Sequence, residues 1–310
     1  MYEEHFGFRE RPFALTPDPG FLYLSGKHSM AFAMLEYGLF NNAPVIVITG
    51  DIGSGKTTLI RHLLNHLDAT STVGLISNTH KGFGDIMQWV SMSFGLEHEG
   101  RDKVAMYRQF VDFLVGEFAD GKRTVLIVDE AQNMGVETLE ELRLLSNINA
   151  DKNLVLQIVL VGQPELRDTL RRPDLEQFAQ RISADYHLDA LDAGETREYI
   201  RHRLSVAGGN RRLFLPDALD AIARYSGGVP RLINALCDTA LVYAFAEGRL
   251  RVTSTIVTNM VEERRRRGLF GAGKLDVGVL ETDTELSVHA TAQSVESSPV
   301  VSPPIKSSGI

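Results

Sequence analysis

Gly50-Asp51-Ile52-Gly53-Ser54-Gly55-Lys56-Thr57-Thr58 follows directly on the apolar run Val45-Ile46-Val47-Ile48 and reads as G-x-x-x-x-G-K-[ST]. This is the phosphate-binding P-loop pattern, set between a strand and a helix. Its glycines allow backbone conformations closed to other residues, so successive N–H groups can point inward around a phosphate. The helix opening near Lys56 presents the positive end of its dipole to the same anion. Lys56 then reaches the β- and γ-phosphates of a nucleoside triphosphate, and the Thr57 hydroxyl is placed to ligate Mg²⁺. Gly50–Thr58 is therefore the expected cradle, with ATP and Mg²⁺ as its ligands.

The pattern around this stretch alternates. Strand-like runs fall at 45–49, 72–77, 124–129, 154–162 and 184–188, with helical periodicity at 56–67, 84–95, 103–119, 136–148 and 174–182. Such alternation implies an α/β fold, a parallel sheet with flanking helices. From about residue 192 only helical patterns remain, at 194–207, 216–226, 230–247 and 253–266. Gly208-Gly209, Gly227-Gly228 and Gly248 separate them, and Pro216 and Pro230 stand at first helical positions. The expectation is a P-loop NTPase domain over 1–191, opening with an aromatic box in 1–40, then a small all-helical lid domain over 192–267. Residues 268–310 turn to Ser, Thr, Val and Pro and read as a disordered tail.

Composition narrows the setting. The chain is 44% hydrophobic, enough for a full core, yet its apolar runs are strand-sized and far short of the ~20 residues that span a bilayer. The acidic start Met1-Tyr2-Glu3-Glu4 has no apolar h-region. A single cysteine, Cys237, suits a reducing compartment and sits in an apolar helix as a packed thiol. A cytoplasmic location is expected. The net charge of −8 opposes non-specific nucleic-acid binding, which wants the other sign. The histidines, His5, His28 and His80 among them, show no metal-ligand spacing.

Two further motifs carry chemistry. In Val125-Leu126-Ile127-Val128-Asp129-Glu130, a strand ends in two acids. Asp129 is placed to hold Mg²⁺ directly or through water, and Glu130 to polarise a water for attack on the γ-phosphate. The plain alternative for Glu130 is a solvated cap before Ala131. In Gly227-Gly228-Val229-Pro230-Arg231, two glycines turn the chain and Pro230 starts a helix. Arg231 then either reaches back to the phosphates or is a solvated arginine at a helix start.

A P-loop, an Asp-Glu strand end and a helical lid carrying Gly-Val-Pro-Arg together resemble the AAA+ ATPases. Phe6-Gly7-Phe8-Arg9-Glu10-Arg11-Pro12-Phe13 with Thr16-Pro17-Asp18-Pro19, Val161-Gly162-Gln163-Pro164-Glu165-Leu166 and Gln180-Arg181-Ile182 narrow the resemblance. They look like the ExeA/GspA group of secretion ATPases over about residues 1–265. The resemblance implies that Arg231 is sensor 2 and Gln163 is sensor 1. It implies that Arg181 is an arginine finger supplied to a neighbouring subunit, with Arg167, Arg171 and Arg172 as rivals. It also implies ATP-dependent homo-oligomers, ATP hydrolysis and an aromatic N-terminal box near the adenine.

Typical ExeA-type chains continue through a transmembrane helix into a peptidoglycan-binding domain, and neither is read here after residue 267. The architecture is more similar to a short subgroup associated with exosortase and exopolysaccharide export loci. The expected function is an ATPase that couples nucleotide state to assembly of a secretion or export system. A DNA-directed regulator of the transposase-partner type and a non-hydrolysing nucleotide-switch scaffold are the alternatives. Arg264-Arg265-Arg266-Arg267 either complements a helix dipole or contacts anionic lipid at the membrane periphery.

Overall fold

Among the residues described by the computed structural model (1–16, 18–68, 70–77, 84–150 and 152–266), five parallel strands form the central sheet. They are β1 (Val45–Gly50), β2 (Ser71–Ile76), β3 (Arg123–Val128), β4 (Gln157–Gly162) and β5 (Ile182–Leu188), in the spatial order β2-β3-β4-β1-β5. Every residue of β1 and β4 is buried, as a parallel strand covered on both faces requires. The two-residue period sorts their side chains. Val45, Val47, Leu126, Val128, Ile158 and Leu160 enter one core, while Ile46, Ile48, Val125, Ile127, Val159 and Val161 enter the other.

Helices α1 (Gly26–Phe40) and α2 (Lys56–His66) close the second core through Leu35, Leu39, Leu59 and Leu63. Helices α3 (Ile86–Ser93), α4 (Lys103–Ala119), α5 (Val136–Leu145) and α6 (Pro164–Leu170) close the first through Val90, Phe110, Leu142 and Leu166. Ser25, Asp85 and Asp102 cap α1, α3 and α4 by accepting backbone N–H groups of their first turns. Because all strands run parallel, their carboxyl ends share one rim, and Thr49 lies beside Gly162.

Helix α1 was hidden in the sequence among the aromatics and turn formers of residues 1–40. It settles on β1 because Gly38 leaves room: a Cβ there would stand 2.6 Å from Ile46 Cδ1. Its end is held by Gln157, the one polar side chain of an apolar strand, which donates Nε2 to the carbonyls of Gly38, Leu39 and Ala43. The run expected as one strand over 154–162 is divided. Asn153–Leu154 pairs antiparallel with Asn149–Ala150, and β4 begins at Gln157. The helix expected over 174–182 breaks into a 3₁₀ turn at Pro173–Leu175 and the short helix Glu176–Ala179, and β5 starts at Ile182.

The helical patterns after residue 192 become α7 (Ala193–Val206), α8 (Pro216–Ser226), α9 (Pro230–Ala246) and α10 (Ser254–Arg266). Asp192 and Glu195 form a reciprocal capping box at the start of α7. The aromatics Tyr2, Phe8, Phe13 and Phe21, grouped in sequence with the nucleotide-binding domain, are packed instead in the core of these helices, with Leu204, Ile222, Ile233 and Cys237. The Arg9 N–H donates to Ala207 O at 2.9 Å, and the Tyr2 hydroxyl bonds to Asp238. Arg264 donates to Thr239 Oγ1 at 3.1 Å, and Arg266 lies 3.7 Å from Glu262. Arg267 and the expected tail lie outside the described residues.

Gly228 sets how the turn before α9 sits. Its φ is +75°, and a Cβ would lie 1.8 Å from the carbonyl oxygen of Leu191, while its own carbonyl accepts the Leu191 N–H at 3.0 Å. The left-handed conformation alone costs a non-glycine residue about 1–2 kcal/mol. Gly228→Ala is expected to lower unfolding free energy by at least ~2 kcal/mol in a denaturant titration; an unchanged midpoint would contradict this packing.

Candidate functional site

The P-loop leaves β1 at Gly50 and turns through Gly53 and Gly55, at φ of +81° and +105°, into α2. Both glycines are pressed from outside. A Cβ at Gly53 would stand 2.5 Å from Arg231 Cβ, and one at Gly55 would stand 2.9 Å from His28 Nε2. The loop is thus wedged between α9 and α1. Arg231 donates its backbone N–H to Gly53 O at 3.2 Å, which ties the helical region to the cradle.

Lys56 is buried, and its Nζ donates to Gly50 O at 2.7 Å and Asp51 O at 2.9 Å. Burial lowers its pKa, opposed by the charges of Glu130, Asp129 and Asp51. Thr57 Oγ1 donates to Asp129 Oδ2 at 2.9 Å, and the Glu130 N–H donates to Asp129 Oδ1 at 2.9 Å. Burial raises the Asp129 pKa, while the Thr57 hydroxyl works against that rise. Glu130 is held in the left-handed region at φ +56°, a strained position for a non-glycine residue. Its Oε2 accepts from Gln163 Nε2 at 3.3 Å.

These residues suit a triphosphate and Mg²⁺. Gly53 and Gly55 take the positive φ that a phosphate-binding turn needs, and Ser54 Oγ is buried with no hydrogen-bond partner among the described residues. No group of three or more His, Cys, Asp or Glu among the described residues is arranged to hold a metal ion. Mg²⁺ does not need one: it is held by one or two carboxylates with phosphate oxygens and water, and Thr57 and Asp129 offer hard oxygen ligands.

A cavity of about 360 Å³, within the usual range for a small-molecule site, opens beside the loop. Gly53, Gly55, Lys56, Thr57, Thr58, Glu130, Gln163 and Arg231 line it, and so do Leu15, Phe21, Tyr23, Tyr199 and Arg203. Of the N-terminal aromatics, Phe21 and Tyr23 reach this cavity, and Phe8 and Phe13 do not. Arg181 is elsewhere. It precedes β5, whose first residue lies beside Val45 at the opposite end of the sheet, and donates to Ser146 O at 3.1 Å. Arg167 lies 4.0 Å from Asp185, Arg172 pairs with Asp174 at 2.8 Å, and Arg171 is exposed; none lines the cavity.

Several participants had no signature in the sequence. Arg203 is buried with its guanidinium 4.7 Å from the Phe21 ring, donating to the carbonyls of Pro12 and Ala14 and to the Tyr199 hydroxyl at 3.0 Å. Tyr199 donates in turn to Asn234 Oδ1 at 2.9 Å. His28 accepts from Ser25 Oγ at Nδ1, 2.9 Å, and donates Nε2–H to Ser54 O at 3.1 Å, because a carbonyl can only accept. Nothing in the spacing of Arg203 or His28 distinguishes them from surface residues; the fold alone brings them in.

The fold is that of the P-loop NTPases, and residues 41–170 match the family described as AAA domain. The chain is similar to general secretion pathway protein A of Aeromonas hydrophila, 42% identical over 253 residues, which cover 81% of this chain and 46% of that one. It spans less than half of that relative. Among solved structures, the Aeropyrum pernix ORC2 protein matches with TM-score 0.62 and 20% identity, over 83% of this chain and 72% of the other. Cdc6p from Pyrobaculum aerophilum matches with TM-score 0.60 and 17% identity, over 76% and 68%. The likenesses to solved structures establish the fold. The chain is thus similar to AAA proteins across its sheet domain and to this secretion relative over most of its own length.

Burial lowers the His28 pKa below its ordinary value, so the folded chain prefers the neutral ring that donates to Ser54. A depressed pKa contributes stability above the unfolded value that is lost as pH falls. The stability of wild type relative to His28→Gln should therefore decline from about pH 7 to about pH 5 in parallel denaturant titrations. A difference independent of pH would contradict the buried neutral ring.

Proposed function

We propose that this chain binds ATP with Mg²⁺ and hydrolyses it, and uses the nucleotide state to drive assembly of a secretion or surface-polymer export system. The supporting observation is convergence: Lys56 and Thr57 at the start of α2, Glu130 beyond β3, Gln163 beyond β4 and Arg231 from the helical region line one cavity. In this reading the P-loop and Lys56 bind the phosphates, Thr57 and Asp129 hold the ion, and Glu130 takes a proton from the attacking water. Gln163 orients that water or the γ-phosphate. Bound Mg²⁺ would neutralise charge developing on the phosphate oxygens. The apolar end of the cavity, with Leu15, Phe21, Tyr23 and Tyr199, offers the base an aromatic lining.

Arg181 does not line its own cavity, and the ExeA/GspA resemblance casts it as a finger offered to a neighbouring copy, where it would stabilise transition-state charge. The secretion relative supports the export setting, and the exopolysaccharide subgroup and a cytoplasmic site at the inner face of a membrane are proposed with it. Glu130, strained and aimed into the cavity, favours hydrolysis over a passive switch.

Lys56→Ala should abolish binding of labelled ATP, and normal binding would sink the site. Glu130→Gln should retain ATP yet turn over at least ~10²-fold more slowly in a phosphate-release assay; unchanged turnover would remove its role. Mixing Arg181→Ala with Glu130→Gln subunits should restore part of the activity, because some interfaces then carry one intact half from each. With mixed assembly confirmed, the absence of rescue at every ratio would contradict a finger supplied in trans.

A further inference from the structure

Gln132 does not line the cavity, yet its side chain joins the two strand ends that matter most there. Its Nε2 donates to Glu130 Oε2 at 2.6 Å, and its Oε1 accepts the backbone N–H of Gln163 at 2.9 Å. The backbone N–H fixes which way the amide faces. It can only donate, so Oε1 must lie toward Gln163 and Nε2 toward the carboxylate. Gly162 leaves the space this requires, for a Cβ there would stand 2.9 Å from Gln132 Oε1. The Gln163 side chain reaches the same Glu130 oxygen, so carboxylate, amide and strand end close into one ring of contacts.

We propose that Gln132 is a positioning residue for hydrolysis, a clamp that fixes the Glu130 carboxylate against the end of β4 and sets the distance between Glu130 and Gln163. This rests on the ATPase reading above. Glu130 sits in a left-handed backbone conformation on a short turn, and one oxygen of its carboxylate accepts from both Gln132 and Gln163. The clamp holds the carboxylate from outside the cavity lining. It therefore acts on the chemical step and leaves ATP affinity alone.

Gln132→Ala removes both bonds. Gln132→Glu keeps the shape and an acceptor for the Gln163 N–H, but replaces the donor facing Glu130 with a second carboxylate oxygen. Each should lower kcat about 10- to 10²-fold with KM for ATP unchanged, the scale expected when a reacting group is misplaced by about 1 Å. Introduced into Glu130→Gln, Gln132→Ala should cost no further activity, since the group it positions is already gone. An active wild type whose kcat is unaltered by Gln132→Glu would overturn the clamp, and so would an equal loss in the Glu130→Gln background, which marks a merely structural role. A wild type without turnover would overturn the ATPase reading itself and the clamp with it, whereas Glu130→Gln as active as wild type would remove the role of Glu130, and with it the clamp, while leaving the ATPase reading standing.

Discussion

The loop after β1 turns through Gly53 and Gly55 at positive φ, as an anion cradle would require. A loop of that kind is costly to order, and the rest of the fold is arranged to hold it. His28 of α1 presses on Gly55 and donates to Ser54 O, and Arg231 of α9 packs on Gly53 and donates to its carbonyl. The sheet supplies the fixed points. β1 delivers the loop, and β3 and β4 deliver Asp129 and Gln163 to the same rim because all three run parallel. Displacing either wedge would move the loop relative to the acids that complete the site.

The site was legible wherever chemistry demands residue type and spacing together. Gly50–Thr58 and Asp129-Glu130 could be read because the strand–loop–helix geometry ties those residues to fixed offsets. The five strands were legible through apolar runs, and the four helices after residue 192 through periodicity and glycine punctuation. What stayed hidden depends on tertiary contact. Helix α1 is nearly evenly apolar, since one side packs on β1 and β5 while Met30, Tyr37 and Phe40 remain exposed, so no clean face marks it. Gln157 is polar within an apolar strand, and its role, donating to the carbonyls at the end of that helix, shows only in the fold. Pro164 and Pro173 each start a new turn, and the span between them became α6.

The N-terminal box shows a different limit. Its aromatics point to packing, but sequence does not say against what. Phe8 and Phe13 complete the helical core, and the backbone between Pro12 and Ala14 is gripped by buried Arg203. Arg203 has carbonyls, a hydroxyl and an aromatic face as partners, so its burial depends on the N-terminal segment staying in place. The segment, the helical region and the cavity wall form one structure: Phe21 lies under Arg203 and also lines the cavity.

On the proposed reading, these elements together build one Mg²⁺-dependent ATP site. Calorimetric titration of wild-type protein with ATP, paired with phosphate release in the presence and absence of Mg²⁺, tests it most directly. One ATP per chain and phosphate release only with the ion are expected. No saturable ATP binding, or release unaffected by removing Mg²⁺, would contradict that reading.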